Sequence, residues 1–195
     1  MTSCCGEKKI VLPAPSFDRD TMTVSEAISK RRSVREYSKR EPDKQILANL
    51  LYFSAGITDK EEGKLAAPTA NNRQEIDLYV AAHCGVYRYD PKEHALHCVC
   101  EEDRRADTGE QKFCADALYN FIYVFNAEKA KKITDESKRR FYQGSDSALM
   151  ASQTALYATA VGLNHVIRAW FDKDKVAKAC DLKDGDLPVL ALTVG

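Results

Sequence analysis

The fold is decided by the stretch DSALMASQTALYATAVGL, residues 146–163, which belongs to a helical pattern running from about Thr134 to Val161. Gly162 follows this pattern as a helix stop. Residues at helical spacing line one side of the segment, with small residues between them: Leu149, Gln153, Leu156 and Ala160. A helix of this length predicts a core element against which a sheet packs.

Apolar runs on both sides of the helix predict the strands of that sheet. Residues 117–127, ALYNFIYVFNA, are almost continuously apolar and predict a central strand. After the helix, HVIRAWF at 165–171 predicts a strand and DKDKVAKAC at 172–180 predicts a short helix. The run LPVLALTV at 187–194 predicts a last strand near the centre of the sheet.

Residues 75–102 predict three further strands, separated by one turn at Gly85 and another at Asp90-Pro91. Helices followed by a hairpin, and then by alternating helices and strands, indicate an α+β fold with a mixed or antiparallel sheet. The first twenty residues predict an extended arm, so we expect arm 1–20 followed by one domain, 21–195.

Two helices are predicted before the hairpin. Thr23 and Glu26 form a capping-box pattern, so a helix begins at Val24 and ends around Arg32 or Ser33. The second helix fits residues 42–56, with Pro42 near its first turn and Gly56 as its stop. Its apolar spacing gives a buried stripe: Ile46, Leu47, Leu50 and Leu51.

Composition excludes several function classes. The 195 residues include 44% hydrophobic residues, and 29 basic residues balance 29 acidic ones. Because nucleic acids and anionic membranes need a basic surface, neither is expected as the main partner. No apolar run is long enough to span a bilayer, and the seven cysteines do not resemble a disulfide framework. We therefore expect a reduced, cytoplasmic protein, although an exported origin stays open if a leader has been removed.

The stretch ISKRRSVREY, residues 28–37, concentrates cations on this neutral background. Arginine offers a planar fork of donors that suits phosphate oxygens, and Ser33 adds a hydroxyl beside Arg31 and Arg35. The alternative is that cations at the end of a helix only complement its dipole. Both interpretations stay open on composition alone.

Two other stretches carry polar groups of interest. APTANNRQ, residues 67–74, has three side-chain amides suited to a flat heterocycle, although Asn and Pro also favour loops for conformational reasons. HALHCVC, residues 94–100, has zinc-type ligands, but strand alternation puts Cys98 and Cys100 on one face and His97 on the other. No metal is expected there, and no glycine-rich nucleotide motif is present.

In this order, the features resemble the FMN-dependent nitroreductase family. RRSVREY resembles its phosphate-binding R-x-S-x-R element, and APTANNRQ resembles its P-S-x-x-N-x-Q loop. DSALMASQTALYATAVGL resembles its core helix, and LPVLALTVG resembles its closing strand. The hairpin at 85–99 resembles a branch near the azoline dehydrogenases of peptide-modifying clusters. The resemblance covers about Thr21 to Gly195.

The resemblance implies a three-layer fold with a mostly antiparallel central sheet flanked by helices, in a homodimer with FMN at the interface. Arg31 and Arg35 would hold the phosphate, with Ser33 as a hydroxyl donor. Arg32 would act through its backbone or beside the ribityl chain. The partner subunit would line the flavin with one loop: Pro68, Thr69, Ala70 and Asn72, with Gln74 nearby. The backbone of one strand would reach the reactive flavin nitrogen: Ile167, Arg168 and Ala169.

The implied activity is oxidation of NAD(P)H and reduction of a nitroaromatic, quinone or enone in a ping-pong cycle. The alternatives are an FMN-dependent dehydrogenase of a heterocycle or other small substrate, and a flavin-binding or sensing protein with little turnover. Because the flavin carries the chemistry, no catalytic side chain is expected.

Several residues depart from the family pattern. Asn71-Asn72 and Arg73 replace small residues of the loop, and Glu75 stands where a proline often follows the glutamine. Thr154 stands where an asparagine is common. Many members continue into a tail with a basic phosphate ligand beyond the position of Gly195, and three arginines are candidates to replace that ligand: Arg168, Arg104 and Arg105.

Overall fold

The computed structural model of the protein describes residues 7–18, 22–37 and 43–195. Within these residues the chain forms nine strands, in order β1 (Lys9–Val11), β2 (Ile57–Asp59), β3 (Lys64–Leu65), β4 (Ile76–Ala82), β5 (Gly85–Asp90), β6 (Ala95–Cys100), β7 (Tyr119–Phe125), β8 (His165–Arg168) and β9 (Leu187–Val194). Seven of them form one sheet in the order β1-β6-β5-β4-β7-β9-β8. Every neighbouring pair in that sheet is antiparallel, and β2 and β3 form a separate hairpin.

Helices cover both faces of the sheet. They are α1 (Val24–Lys30), α2 (Lys44–Ala55), α3 (Phe113–Asp116), α4 (Glu136–Ala160) and α5 (Lys173–Ala179), with short 3-10 turns at Ala70–Asn72 and Arg105–Thr108. On one face α4 packs against the sheet and contacts α1 and α2, and the buried residues of α2 share a core cluster with sheet residues, while α5 covers the other face. The predicted α+β fold, with its mostly antiparallel sheet and long core helix, is confirmed.

Helix α1 has the predicted start but ends earlier than predicted. The Thr23 hydroxyl accepts the Glu26 N–H at 3.3 Å, and Glu26 accepts the Thr23 N–H at 2.8 Å, which completes the capping box. Arg31 then leaves the helical conformation with ψ of 123°. The reason is a tertiary bond, since the Val34 N–H donates to the carbonyl of His165 at 2.9 Å and draws the chain along β8.

Helix α2 begins at Lys44, where Asp43 caps it by accepting the Ile46 N–H at 2.9 Å. Pro42, predicted near its first turn, lies outside the described residues. The helix ends before Gly56 as predicted, and the buried stripe is formed with Ile46 only partly covered.

The β2–β3 hairpin was not predicted, and β8 ends at Arg168 rather than at position 171. The other strands agree with the prediction except in three details. Every residue of β7 is buried between β4 and β9, as predicted for a central strand. Strand β9 is next to the edge strand β8 rather than near the centre. Gly85 begins β5, so the turn before it lies at positions 83 and 84.

The third detail is a bulge in β6. Tyr87 pairs with Cys98 whereas Val86 pairs with Cys100, so Val99 is an extra residue. Cys98 therefore packs in the core cluster under α4, and Cys100 packs in the cluster under α5. The prediction that these two cysteines share one face was wrong because strict alternation breaks at the bulge.

Helix α4 meets the sheet through small and medium side chains that allow a close approach: Met150, Ala151, Thr154, Ala155 and Ala158, all fully buried. The predicted stripe from Leu149 to Ala160 lies on another side, and Leu149 is 44% exposed. Thr154 accepts the buried Tyr123 hydroxyl at 3.0 Å, which explains a polar residue at this position.

The described part of the N-terminal arm is tied to the domain. Strand β1 extends the sheet beside β6, and Leu12 N–H donates to the carbonyl of His94 at 3.1 Å. The buried Asn49 side chain accepts the Ser16 N–H at 3.1 Å. Among the helices of these described segments, none has both the length and the apolar character that a membrane crossing requires.

Candidate functional site

The cationic segment, residues 31–37, lies between the end of α1 and the edge of β8. It is held through its backbone, because Val34 N–H binds the carbonyl of His165 and the Asn164 side chain donates to the carbonyl of Glu36 at 2.9 Å. The side chains of Arg32, Ser33 and Arg35 are exposed, and that of Arg31 is half-buried. Backbone anchoring therefore leaves the polar side chains available.

The two interpretations of this segment apply to different arginines. The Arg32 guanidinium donates to the carbonyls of Ser29 at 2.9 Å and Arg31 at 2.8 Å, so it satisfies the end of α1. The side chains of Arg31, Ser33 and Arg35 make no hydrogen bond or ion pair with any residue within 7–18, 22–37 and 43–195. Two cations and a hydroxyl are thus available to an anion.

His165 lies under this cluster and is only 2% exposed. Burial first, and then the charge of Arg31, lower the pKa of His165 to about 4. Its Nε2 is 2.9 Å from the Thr159 hydroxyl, which itself donates to the carbonyl of Ala155. The imidazole is therefore neutral at neutral pH, and the positive charge of the cluster comes from arginine.

The edge of β8 beside the cluster carries open backbone groups. Val166 and Arg168 face β9 in the antiparallel ladder, while the carbonyl of His165 faces outward to Val34. By the same alternation, Ile167 presents its N–H outward, about 7 Å along the strand from His165. No described backbone group pairs with that N–H. Trp170 follows at 68% exposure.

The Arg168 side chain points the other way, into the core. Its Nε donates to the Thr193 hydroxyl at 2.8 Å, its Nη1 donates to the carbonyl of Thr108, and its Nη2 donates to the Thr108 hydroxyl and to Asn120 Oδ1, each at 3.0 Å. Arg168 as a whole residue is 7% exposed, and each of its three guanidinium nitrogens donates a hydrogen bond. It is not free to replace a basic tail.

The other two candidate replacements are also occupied. Arg104 pairs with Glu102 at 2.5 Å and with Asp107 at 3.3 Å. Arg105 pairs with Asp103 at 2.7 Å and donates to the carbonyl of Ala117 at 2.6 Å. Neither Arg104 nor Arg105 is therefore free to replace a basic tail.

The amide-rich loop, residues 67–74, has an unusual backbone. Asn71, Asn72 and Gln74 have φ values of 53°, 51° and 55°, in the left-handed region that non-glycine residues rarely adopt. Internal bonds hold this shape, since the Thr69 hydroxyl accepts the Gln74 N–H at 3.0 Å. The Gln74 side chain donates to the carbonyl of Gly63 at 2.7 Å, which ties the loop to the β2–β3 hairpin.

The outer surface of the loop is open. Pro68 and Asn72 are exposed, and Pro68, Thr69 and Asn72 border a cavity of about 290 Å³ together with residues 64–67. Ala70 is held from below, because its N–H donates to Asp146 Oδ2 of α4 at 2.8 Å. Pro68, Thr69, Ala70 and Asn72 thus form one surface, while the Gln74 amide group is used inside the chain.

One chain does not bring the loop and the cationic segment together. The loop contacts α4 at Asp146, whereas the cationic segment lies near Thr159 through His165. These positions are thirteen residues apart on α4, which is about 20 Å at 1.5 Å per residue.

An apolar groove of about 510 Å³ runs between them, along the outer side of α4. It is lined by residues of the arm, the helices and the β2–β3 hairpin: Phe17, Met22, Thr23, Val24, Ala27, Phe53, Thr58, Ala66, Gln153, Leu156, Tyr157 and Ala160. Val24 and Ile28 are 74% and 58% exposed on the same helix α1. This side of the molecule is an exposed apolar surface.

Sequence reasoning missed the buried acids under the loop. Glu75 is fully buried, and burial together with the neighbouring Asp146 raises the pKa of Glu75 to about 7. The available signal was the substitution of glutamate for the proline common in the family. Asp146 gave no signal, because a carboxylate within a helix is usually solvated.

A second polar cluster lies on the hairpin of β5 and β6. Ligand atoms of Asp90, Glu93 and His97 lie within 4.8 Å of one another. Glu93 is engaged by Lys9 at 3.0 Å and by His97 at 2.7 Å. Cys98 and Cys100 are not part of this cluster.

The described groups fit the FMN that the resemblance implies. Arg31, Ser33 and Arg35 are unpaired donors for a phosphate, and Ile167 offers an open N–H at a strand edge. The loop surface offers polar contacts for a heterocycle.

Comparisons with known proteins agree with this architecture. Residues 28–195 match the family described as the Nitroreductase family. A provisionally named nitroreductase from Methanocaldococcus jannaschii is 26% identical over 91% of this chain and 93% of its own length.

The crystal structure of a provisionally named nitroreductase from Ralstonia eutropha has a TM-score of 0.90 and 30% identity, over 97% of this chain and 89% of its own. A chain of the Escherichia coli microcin synthetase complex McbBCD has the same fold, with a TM-score of 0.71 and 19% identity over 97% of this chain and 78% of its own.

Proposed function

The chain belongs to the nitroreductase family and is an oxidoreductase, and on this basis we propose that it binds FMN and passes electrons from NAD(P)H to a small organic acceptor. The observation that carries the proposal is the group of unpaired side chains beside an open strand edge. Arg31, Ser33 and Arg35 belong to the segment whose Val34 N–H donates to the carbonyl of His165, two residues before the outward N–H of Ile167. A phosphate suits the charged and hydroxyl donors, and a flavin ring suits a backbone N–H at an open strand edge.

Each part of the chain has a distinct role in this proposal. Arg31 and Arg35 hold the phosphate by charge-assisted bonds, and Ser33 adds a short hydroxyl donor. The backbone between Ile167 and Ala169 donates toward the ring and restricts its orientation. When bound, FMN supplies the hydride and electron transfer, so the protein contributes binding, orientation and exclusion of water.

The complete site needs a second copy of the chain. The loop surface formed by Pro68, Thr69, Ala70 and Asn72 is about 20 Å along α4 from the arginines of the same chain. In a homodimer built on the apolar groove, the loop of the partner subunit lines the cofactor held by Arg31 and Arg35. The groove supports this assembly because it joins the two regions and is exposed in one chain.

The acceptor belongs to the nitroaromatic, quinone or enone class in this proposal. Asn71, Asn72 and Arg73 make the loop more polar than the small residues usual in the family, which favours an acceptor with polar substituents. Under anaerobic conditions NAD(P)H should bleach the yellow protein, and an added quinone should restore the colour. Colour that persists with both nicotinamides would instead support the dehydrogenase or the flavin-binding alternative.

Substitution of the cluster tests the phosphate assignment. We expect Arg31→Ala to weaken FMN binding by about tenfold to a hundredfold, because a charge-assisted bond contributes about 1.5–3 kcal/mol. Ser33→Ala should have a smaller effect in the same direction. The measurement is the dissociation constant of FMN by fluorescence titration, with circular dichroism to verify folding.

Arg32→Ala is the matched control, because its guanidinium already serves the end of α1. The Arg32→Ala protein should retain FMN, and its free energy of unfolding should be slightly lower because the end of α1 loses a cation. Stoichiometric FMN in purified Arg31→Ala and Ser33→Ala proteins would refute the assignment.

A further inference from the structure

Glu75 is a buried acid whose carboxyl oxygens have no hydrogen-bond partner among the described residues. It lies between the amide-rich loop and β4 and has no exposed surface. Neither oxygen of its carboxylate accepts a hydrogen bond from any donor within the described residues. An ionised carboxylate in this position would lose its hydration without compensation, which is a large energetic penalty.

The group beside Glu75 is a second buried acid, Asp146 of α4, which is 4% exposed. Asp146 is already engaged as an acceptor. Its Oδ2 accepts the Ala70 N–H at 2.8 Å, and its Oδ1 accepts the Ser145 hydroxyl at 2.7 Å. The carboxylate oxygens of Asp146 thus have hydrogen-bond donors, whereas those of Glu75 have none among the described residues.

No nearby cation removes the conflict between the two acids. The Arg73 guanidinium donates to the carbonyl of Ala70 at 3.2 Å and lies over the Tyr142 ring, 5.8 Å from its centroid. On the adjoining elements, Arg139 lies over the Phe125 ring and Lys129 pairs with Asp77 at 2.5 Å. Arg73 acts on Glu75 only through its distant charge.

A single proton resolves the arrangement. A protonated Glu75 becomes a donor and can bond to Asp146, which removes one buried charge and gives Glu75 a partner. Two neighbouring ionised carboxylates would repel each other in a dry environment. One proton for the two acids removes this repulsion.

We propose that Glu75 and Asp146 form a one-proton latch that holds the loop at residues 69–74 in its left-handed conformation. The proton on Glu75 keeps Asp146 in place, and Asp146 holds the Ala70 N–H. Left-handed backbone at Asn71, Asn72 and Gln74 carries strain that persists only while such contacts hold it. Glu75 is therefore a positioning residue that acts on the loop through Asp146.

The consequence for binding rests on the proposed function, in which this loop lines the FMN held by the partner subunit. Opening the latch lets Glu75 reach solvent and ionise as an ordinary carboxyl group. Because burial raises the pKa of Glu75 from 4.5 to about 7, opening becomes easier as the pH rises between these values and changes little above them. FMN affinity should decrease over the same range.

Amide hydrogen exchange at Ala70 tests the latch on the full chain without cofactor. After correction for intrinsic exchange, protection in the native protein should fall by up to about tenfold per pH unit between about 4.5 and about 7. Glu75→Gln, which keeps the shape and a permanent donor, should retain protection and remove the pH dependence. The proposal would be overturned if protection of the Ala70 amide did not change with pH in the native protein. It would also be overturned if Glu75→Gln showed the same pH dependence of protection as the native protein.

Glu93→Gln is the matched control, because Glu93 is an exposed acid of the hairpin of β5 and β6. It should leave the Ala70 profile unchanged, and a loss of the profile in this variant would count against the latch. If Glu75→Gln fails to fold, the carboxyl ¹³C titration of the native protein decides, since Glu75 titrating at the ordinary 4.5 would refute the shared proton.

The pH profile of Ala70 exchange also distinguishes failure of the latch from failure of the proposed function. If FMN does not bind but the Ala70 profile follows the prediction, the latch stands and the cofactor assignment fails. If FMN binds with an affinity independent of pH and the Ala70 profile is flat, the latch fails alone.

Discussion

Arg168 is a cation held in the interior by neutral oxygens. It is 7% exposed, and all three nitrogens of its guanidinium donate to Thr108, Asn120 or Thr193. Burial lowers the pKa of Arg168, although a guanidinium stays charged at any ordinary pH. A planar fork with five donors can satisfy acceptors on three elements at once, which a lysine cannot. The residue fixes β8, and with it the outward edge at Ile167.

Arg168→Met should therefore destabilise the fold by about 2–4 kcal/mol, because the Thr108 oxygens lose their donors inside the protein. The measurement is urea unfolding followed by circular dichroism. Arg88→Met is the control, since Arg88 is exposed on β5, and it should change stability by less than about 0.5 kcal/mol. A loss below about 1 kcal/mol in Arg168→Met would contradict the structural role.

At the residue scale, the cationic site could be recognised in the sequence but not divided among its arginines. The stretch around Ser33 indicates an anion site because the rest of the chain is neutral. Which arginine serves the helix end depends on where α1 stops, and that is set by the bond between Val34 and His165, 131 positions apart. Local propensity contains no information about a contact of that range.

At the scale of elements, one face of α4 packs against the sheet and another side borders the apolar groove. Alanines allow it to approach the sheet closely, while Leu149, Leu156 and Ala160 lie on the side that borders or continues the groove. An exposed apolar side on a long helix, next to exposed Val24 and Ile28, is typical of a surface covered in an assembly.

Charge placed on this surface should separate a homodimer. Ile28→Asp should weaken association by at least about 2 kcal/mol, because each interface would then bury an unpaired carboxylate. Sedimentation velocity gives the oligomeric state, and FMN content should fall with it if both subunits build the site. Val11→Asp is the control at the far edge of the sheet, where Val11 is 63% exposed. A dimer of unchanged affinity in Ile28→Asp would show that α1 lies outside the interface.

The elements themselves were largely predictable, and the misses have physical causes. The long helical pattern identifies α4, although its predicted stripe is not the buried side, and a continuous apolar run identifies β7 because both faces of that strand are buried. The β2–β3 hairpin was missed, since β3 has only two residues and the Gln74 bond to Gly63 helps to hold it. The bulge at Val99 was missed because one extra residue is invisible in an alternating pattern.

For the whole molecule, two buried groups give pH effects of opposite sign. His165 stays neutral in the fold down to a pKa of about 4, so stability falls as the pH decreases from about 6.5 to about 4. Glu75 keeps its proton in the fold up to a pKa of about 7, so stability falls as the pH increases from about 4.5 to about 7. Between about 4.5 and 6.5 the two contributions oppose each other.

Each single variant should reveal the contribution of the other group. In Glu75→Gln, stability should rise with pH between about 4.5 and 6.5, by up to about 1.4 kcal/mol per pH unit. In His165→Gln it should fall over the same range. Urea unfolding at a series of pH values measures both slopes, and equal slopes in the two variants would refute the assignment.

Trp170, at the end of β8, makes the proposed site directly visible by optical methods. It is the only tryptophan of the chain, and it is 68% exposed. Indole emission from the protein therefore reports one place, and in water it is red-shifted. A ring stacked on the Trp170 indole would quench its fluorescence, and a second chain covering the indole would shift the emission to the blue. One spectrum thus distinguishes an empty edge from a covered one without any label.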